Sequence, residues 1–385
     1  MVGLVVASDR APVIWLTWRQ FRPQAIVAAG GLAAVAIVLA TTRAGLASAY
    51  TAAGLPECHA HCATAASIFL DRVGNFDKFL DFGTVVLLLM APALIGLFWG
   101  APLIAREVEA GTHRIAWNQS VTRTRWTLVK LGLVGLAAMA TAGLLSLMVT
   151  WWASPIDAAS LAGGSARAAT GGNGVHVTFN GFAEARLDPA IFDGRGVAPL
   201  GYAALALALG VTAGVVLRRT LPAMAVTLVA FVAVQVLMPN FVRPHLLPPA
   251  HFTAPVSVQH GQVNTNVAGG VTDLQLTGSF TEPGAWVLSD IIVTPSGTQP
   301  SDVIMTPDGP EFTALPRVCL PTPGFHINPL ECHQALAAMH LRQSVTYQPA
   351  SRFWPLQCIE TGIYLVLAAG LGGVCVWQVR RRRAA

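Results

Sequence analysis

Lysine is almost missing from this chain: Lys78 and Lys130 are the only two in 385 residues. Neither follows a glycine, so there is no Gly-x-x-x-x-Gly-Lys-Ser/Thr loop to cradle nucleotide phosphates. His-Glu-x-x-His and Gly-x-Ser-x-Gly are also absent, which leaves an enzyme reading little to stand on. Charge of either sign is scarce, 11% of residues, where a soluble globular chain has about a quarter. The net charge of +5 is small and calls for no nucleic-acid partner.

What the chain has is apolar residues, 54% of the total, with a mean hydropathy of +0.56. A hydrocarbon core about 30 Å thick needs about 20 apolar residues in a helix. Six runs meet or approach that length: Ala25–Thr42, Thr84–Ala105, Leu128–Trp152, Val197–Leu217, Leu221–Pro239 and Leu356–Val379. The expected fold class is therefore membrane all-α with six transmembrane helices. Ala47-Ser48-Ala49 after the first run resembles a signal-peptidase site. The leader is too long and amphipathic for a signal peptide, so an uncleaved first span is expected.

Charge sets the expected orientation. Arg10, Arg19, Arg22, Arg106, Arg114, Arg123, Arg125, Lys130, Arg218, Arg219 and Arg380–Arg383 lie in short segments flanking the spans on one side. By the positive-inside rule that side is cytoplasmic, with both termini on it, in a multi-pass protein of the plasma membrane. Before the first run, Ile14, Trp18 and Phe21 recur at helical spacing while Arg19 and Arg22 take another face. That pattern predicts an amphipathic helix in the headgroup layer within Pro12–Pro23 of the cytoplasmic N-terminus (1–23), with Pro23 turning the chain into the first span.

The expected domain division is 1–23, then spans one to five over 24–239 with outer loops 43–83 and 153–196. An extracytoplasmic domain over 240–353 follows, then the last span and basic tail over 354–385. In the outer loops, Gly163–Gly174 is low complexity and Val175–Phe179 is strand-like. Within 240–353, Val256/Val258, Leu274/Leu276 and Trp286–Val293 alternate or form β-branched runs, and Pro329–Arg342 reads as helix. A small β-rich domain between the last two spans is expected.

Four of six cysteines fall in outer segments, where pairing is favoured. Cys319 with Cys332 is the leading bridge. Cys58-His59-Ala60-His61-Cys62 is read as a disulfide or surface turn, with a zinc site as the alternative, although so compact a cluster could hardly surround one ion. No metal is assigned. His245, His251 and His260 are read as solvated surface. Inside the spans, Gly96-x-x-x-Gly100 and Gly210-x-x-x-Gly214 allow close helix approach, with packing inside one subunit preferred over a dimer seam. Pro92 and Pro102 are expected to bend the second span. Glu360, with Gln357 a turn before it, is an ionisable residue near the end of the last span and a candidate for a translocation path.

Between the second and third runs lies Arg106-Glu107-Val108-Glu109-Ala110-Gly111-Thr112-His113-Arg114. A short charged helix there, near 105–117, has no core of its own and would dock on the membrane surface or on a partner. The segment Gly100–Trp117 (GAPLIAREVEAGTHRIAW), continued by Gln119–Trp126 (QSVTRTRW), resembles the permease subunits of actinobacterial ABC transporters of the ABC-2 exporter type. Trp15–Arg22 (WLTWRQFR) is similar to that family's connecting helix. Ser351–Gln357 with Ile359 and Glu360, and Arg243–Pro249, are similar to its signatures near the last span.

The resemblance implies a six-span subunit that dimerises with a second permease copy and pairs with a separate ATPase dimer holding ATP and magnesium, with no cofactor in this chain. It makes Arg106, Glu107 and Glu109 the ATPase-coupling residues, with Gly111 and Thr112 turning the chain away. Export of a drug, antibiotic or lipid is the expectation. A non-transporting mechanotransmission or sensory complex is the alternative, and a membrane-anchored metalloenzyme using His59 and His61 a third.

Overall fold

The computed structural model describes residues 11–59, 62–109, 122–163, 185–255, 263–268, 271–276, 280, 282–295, 303–306, 309–312 and 329–381. They fall into two units. The helical one comprises Met1–Gly163, Phe182–Leu247 and Ser351–Ala385; the other contains Pro248–Ala350.

The helical unit runs α1 (Ala11–Ala52), α2 (Ala63–Arg72), α3 (Asn75–Ile95), a π-turn at Gly96–Gly100, α4 (Pro102–Glu109), α5 (Arg123–Gly163), α6 (Pro189–Asp193), α7 (Ala198–Leu217) and α8 (Thr220–Leu237). A π-turn at Met238–Val242 and a 3-10 turn at Arg243–His245 extend α8. Among the described residues six segments are long and apolar enough to cross a membrane: Ile14–Ala52, Asn75–Glu107, Thr124–Ala162, Ala198–Leu217, Thr220–His245 and Ala350–Arg381. The fourth is the most enclosed of them. Exposed Ile26, Val27, Leu136, Leu221, Val229 and Val366 leave an apolar outer surface, as lipid requires.

Several spans outrun their apolar cores. The second begins at Asn75 rather than Thr84, and the third continues to Ala162 instead of stopping at Trp152. Charges at these ends are paired inside the bundle, so helix continues where hydropathy falls. Pro23 does not separate an amphipathic helix from the first span, because α1 runs through it. A proline removes one hydrogen bond, to Arg19. The turns on either side are held by one core: Phe21 is buried edge-on to Trp99 at 4.8 Å, and Ala25 packs on the same cluster.

Two buried clusters stack along the bundle. One joins Phe21, Ile104, Trp126, Val134, Leu207, Val211 and Val379; the other joins Leu39, Leu46, Phe69, Leu88, Val149 and Trp152. The Gly-x-x-x-Gly pairs of α7 and the first π-turn face each other. A methyl group on Gly100 would lie 2.8 Å from the Leu207 carbonyl oxygen, and one on Gly214 would lie 2.6 Å from that of Ala101. Only glycine permits this approach. Pro92 sits inside α3 just before the π-turn and Pro102 opens α4, so the two prolines flank the stretch where α-helical bonding gives way to a π-turn within the second span.

The second unit contains β1 (Ala250–Pro255), β2 (Val263–Ala268), β3 (Val271–Leu276), β4 (Trp286–Val293), β5 (Val303–Thr306), β6 (Gly309–Phe312), α9 (Pro329–Ala338) and β7 (Arg342–Gln348). β1, β7 and β4 form an antiparallel sheet in that order; β2–β3 and β5–β6 are antiparallel pairs. Trp286–Val293 is the strand its β-branched run predicts. The helix expected to reach Arg342 ends at Ala338, where His340 adopts a left-handed conformation and the chain enters β7. Gln343 is buried in the central strand, donating to the Asp290 carboxylate and accepting from the Phe280 amide. Val256, Val258, His260, Gly164–Gly174 and Val175–Phe179 lie outside the described residues. The final helix, α10 (Phe353–Arg381), returns to the helical unit.

Candidate functional site

Chemistry concentrates at the two ends of the helical unit. At one end α4 closes the second span. Glu107 is ion-paired with Lys130 of α5, whose ammonium also lies 4.3 Å from the Trp126 ring centroid. A buried lysine needs such partners because an isolated charge there would be costly. Glu109 reaches the start of α8: Oε1 accepts from the Thr220 amide at 2.8 Å, and Oε2 from the Thr220 hydroxyl at 2.6 Å. These bonds, the hydroxyl's first, hold the Glu109 carboxyl below its ordinary range, and nearby Arg219 adds to this. A carboxylate at a helix N-terminus also answers its unsatisfied amides.

These contacts give partners within the chain to two of the residues expected to couple to the ATPase. Arg106 and Glu107 close the second span, Asn75–Glu107, and Glu109 lies two residues beyond on the same helix α4; residues 110–117 of the expected coupling helix lie outside the described residues. The two glutamates bind within the chain, to the third and fifth spans. Arg106 is exposed, and among the described residues no carboxylate pairs with it. Gly111 and Thr112 lie outside the described residues.

At the opposite end the spans are stitched by buried charge. Arg243, fully buried, donates from Nε to Glu360 Oε2 at 2.8 Å and from Nη2 to Oε1 at 2.9 Å, and pairs with Asp193 at the end of α6. Its guanidinium stacks 4.1 Å from the Phe192 ring centroid. Tyr202 and Tyr364 donate to Glu360 Oε1 at 3.0 and 2.9 Å. Burial pushes the Asp193 carboxyl up to about 7; Arg243 opposes the rise and Glu360 adds to it. Two carboxylates thus share one guanidinium. A second group places Arg195 3.0 Å from Asp81, with Asp157 reached by Arg186 at 3.1 Å and by Arg195 at 3.7 Å.

Gln357 is a cap. Its Oε1 accepts from the Val197 and Ala198 amides at the start of α7, and its Nε2 donates to the Phe192 and Arg195 carbonyls. Gly196 allows this at a positive φ of 71°, where a methyl group would meet the Gln357 amide oxygen at 3.0 Å. Glu360 and Gln357 are therefore buried inside the subunit, each held by partners on neighbouring elements. Spacing could not reveal this, because Glu360 meets its cation 117 residues away. Asp81, Asp157, Asp193 and Arg195 went unremarked in the sequence, although charges bordering apolar runs are the signal that marks them.

Cys58 and Cys62 are disulfide-bonded, which removes both thiolates from a zinc site built with His59 and His61. Cys332 lies on α9, and its pairing with Cys319 lies outside the described residues. Cys358 and Cys375 are free.

A mostly helical, multi-pass membrane protein whose charges tie its spans together at both ends is the class these features define. The ABC-2 membrane transporter related family matches residues 29–243, more than half of the chain, and the chain belongs to that family. It is thus an ABC-2-type membrane subunit, a class implying an ATPase partner. No curated protein and no solved structure matches it.

Proposed function

We propose that this chain is the permease subunit of an ATP-driven exporter of the plasma membrane, moving a hydrophobic or amphiphilic compound outward. A separate ATPase dimer would bind ATP and magnesium, and a second permease copy, identical or related, would complete the complex. Both termini and the Arg106–Glu109 elbow are cytoplasmic in this reading, and the unit containing Pro248–Ala350 is extracytoplasmic. Family membership supports the class, and the arginine-rich segments support the orientation.

The observation that carries the mechanism is the double tie of the elbow. A push on Arg106 is delivered through Glu107–Lys130 to the third span and through Glu109–Thr220 to the fifth. Packed helices joined by polar ties move as rigid bodies, so ATPase closure becomes helix movement. Arg106 makes the contact; Glu107 and Glu109 are positioning residues. Arg106→Glu should abolish co-purification of the ATPase. Glu109→Ala should leave the ATPase bound but uncouple hydrolysis from ATP-driven uptake of a fluorescent amphiphile into inverted vesicles. Normal assembly of Arg106→Glu would overturn the contact.

A sensory or mechanotransmitting complex is favoured by one observation, the separate β-containing unit between the fifth and sixth spans. ATP hydrolysis without movement of any amphiphile across vesicles would select it.

A further inference from the structure

The elbow end of the helical unit is basic beyond what its own carboxylates neutralise. Three spans converge there, since Phe21, Trp126 and Val379 belong to one buried cluster. Each is followed or preceded in sequence by an arginine: Arg22, Arg125 and Arg380. The Arg380 Nε donates to Thr124 Oγ1 at 2.9 Å, setting the end of the sixth span beside the first turn of the third. The Arg125 Nη2 is buried with no hydrogen-bond partner among the described residues. The Arg381 guanidinium lies 4.1 Å from the Trp377 ring centroid. The described carboxylates at this end, Glu107 and Glu109, are occupied by Lys130 and Thr220. No ion pair among the described residues involves Arg125, Arg380 or Arg381.

We propose that Arg125, Arg380 and Arg381 form a binding site for the phosphate headgroup of an anionic phospholipid, with Val374 and Trp377 carrying its acyl chain. Guanidinium groups match phosphate oxygens in pairs, and basic clusters flanking a span attract anionic lipid. The same helix face argues for lipid over free phosphate. Val374, Trp377 and Arg381 recur at helical spacing on α10, and the first two are exposed. The face therefore changes from aliphatic to aromatic to cationic in the order a lipid does, from chain to interface to headgroup.

The full-length protein is purified from vesicles of equal phosphatidylglycerol and phosphatidylcholine, and its retained lipid is measured by mass spectrometry. Phosphatidylglycerol should be enriched, and each arginine changed to glutamine (Arg125→Gln, Arg380→Gln, Arg381→Gln) should lower that enrichment about fivefold. The corresponding lysine substitutions should keep most of it, and Arg72→Gln at the other end should change nothing. Unchanged enrichment in the triple glutamine variant overturns the site. A second readout needs no charge change: brominated phosphatidylglycerol should quench tryptophan fluorescence more than brominated phosphatidylcholine, with the difference reduced by Trp377→Phe. Equal quenching by the two lipids also overturns the proposal. Displacement of the lipid by millimolar inorganic phosphate would assign the site to phosphate alone and remove the lipid.

Discussion

Replacing Arg243 by methionine removes the one cation between Asp193 and Glu360 while keeping an unbranched side chain of similar length. Arg243 and Glu360 are fully enclosed and Asp193 is buried. The variant leaves two carboxylates buried, with the Tyr202 and Tyr364 hydroxyls as neutral partners in place of a cation. Breaking a buried pair from one side costs about 3–5 kcal/mol, which at about 2–4 °C per kcal/mol lowers Tm by roughly 6–20 °C. Glu360→Gln is the informative contrast. Its amide oxygen still accepts from Tyr202 and Tyr364 and Arg243 keeps Asp193, but its NH2 faces the Arg243 Nε–H, so a smaller loss of about 1–3 kcal/mol is expected. The combination of Arg243→Met with Asp193→Asn and Glu360→Gln should regain part of the loss, because no charge is then stranded. Thermal unfolding in detergent, followed by fluorescence-detected gel filtration, reads all three. Equal shifts for Arg243→Met and Glu360→Gln would refute the shared-cation arrangement.

The raised Asp193 carboxyl gives the same network a pH signature. The native state holds a proton that the unfolded chain has released, so stability should rise as pH falls from about 7 toward the ordinary aspartate value of 3.8, and Asp193→Asn should flatten that slope in Tm. Glu109 has the opposite sign: its lowered carboxyl makes the tie to Thr220 fully present above the ordinary glutamate range and lost as pH falls through the folded value. The fall of Tm in acid should accordingly be smaller in Glu109→Gln than in the parent protein, with the two converging below the folded value. Gly214→Ala should destabilise by about 1–3 kcal/mol, because its methyl group meets a backbone oxygen that cannot yield. Gly132→Ala, with nothing within 4 Å, should be neutral or slightly stabilising in the same melting assay.

The six spans were legible because lipid-facing helices must be apolar over about 20 residues, a demand that no partner can relax. Their ends were not, since a charge there reads as a boundary unless its partner is known. Glu107, Asp157 and Arg243 each lie on helix that continues past the apolar window, held by Lys130, Arg186 and Glu360. Pro23 misled for a related reason. Local stereochemistry marks it as a break, and the packing of Phe21 and Ala25 around it cannot be seen in the sequence. The glycine pairs succeeded better: two Gly-x-x-x-Gly motifs in one chain have each other as the simplest partner, and they meet. At the elbow, sequence picked out the acidic residues but not what they hold, because Thr220 carries no charge and stands 111 residues away.

The most direct measurement is photocrosslinking from position 106 in the complex co-expressed with its P-loop ATPase. A crosslinking side chain at 106 should capture the ATPase in an adduct whose yield changes with ATP, while the same side chain at position 72, on the opposite end, captures none. Capture from 72 and not from 106 would contradict both the orientation and the route by which the spans are driven.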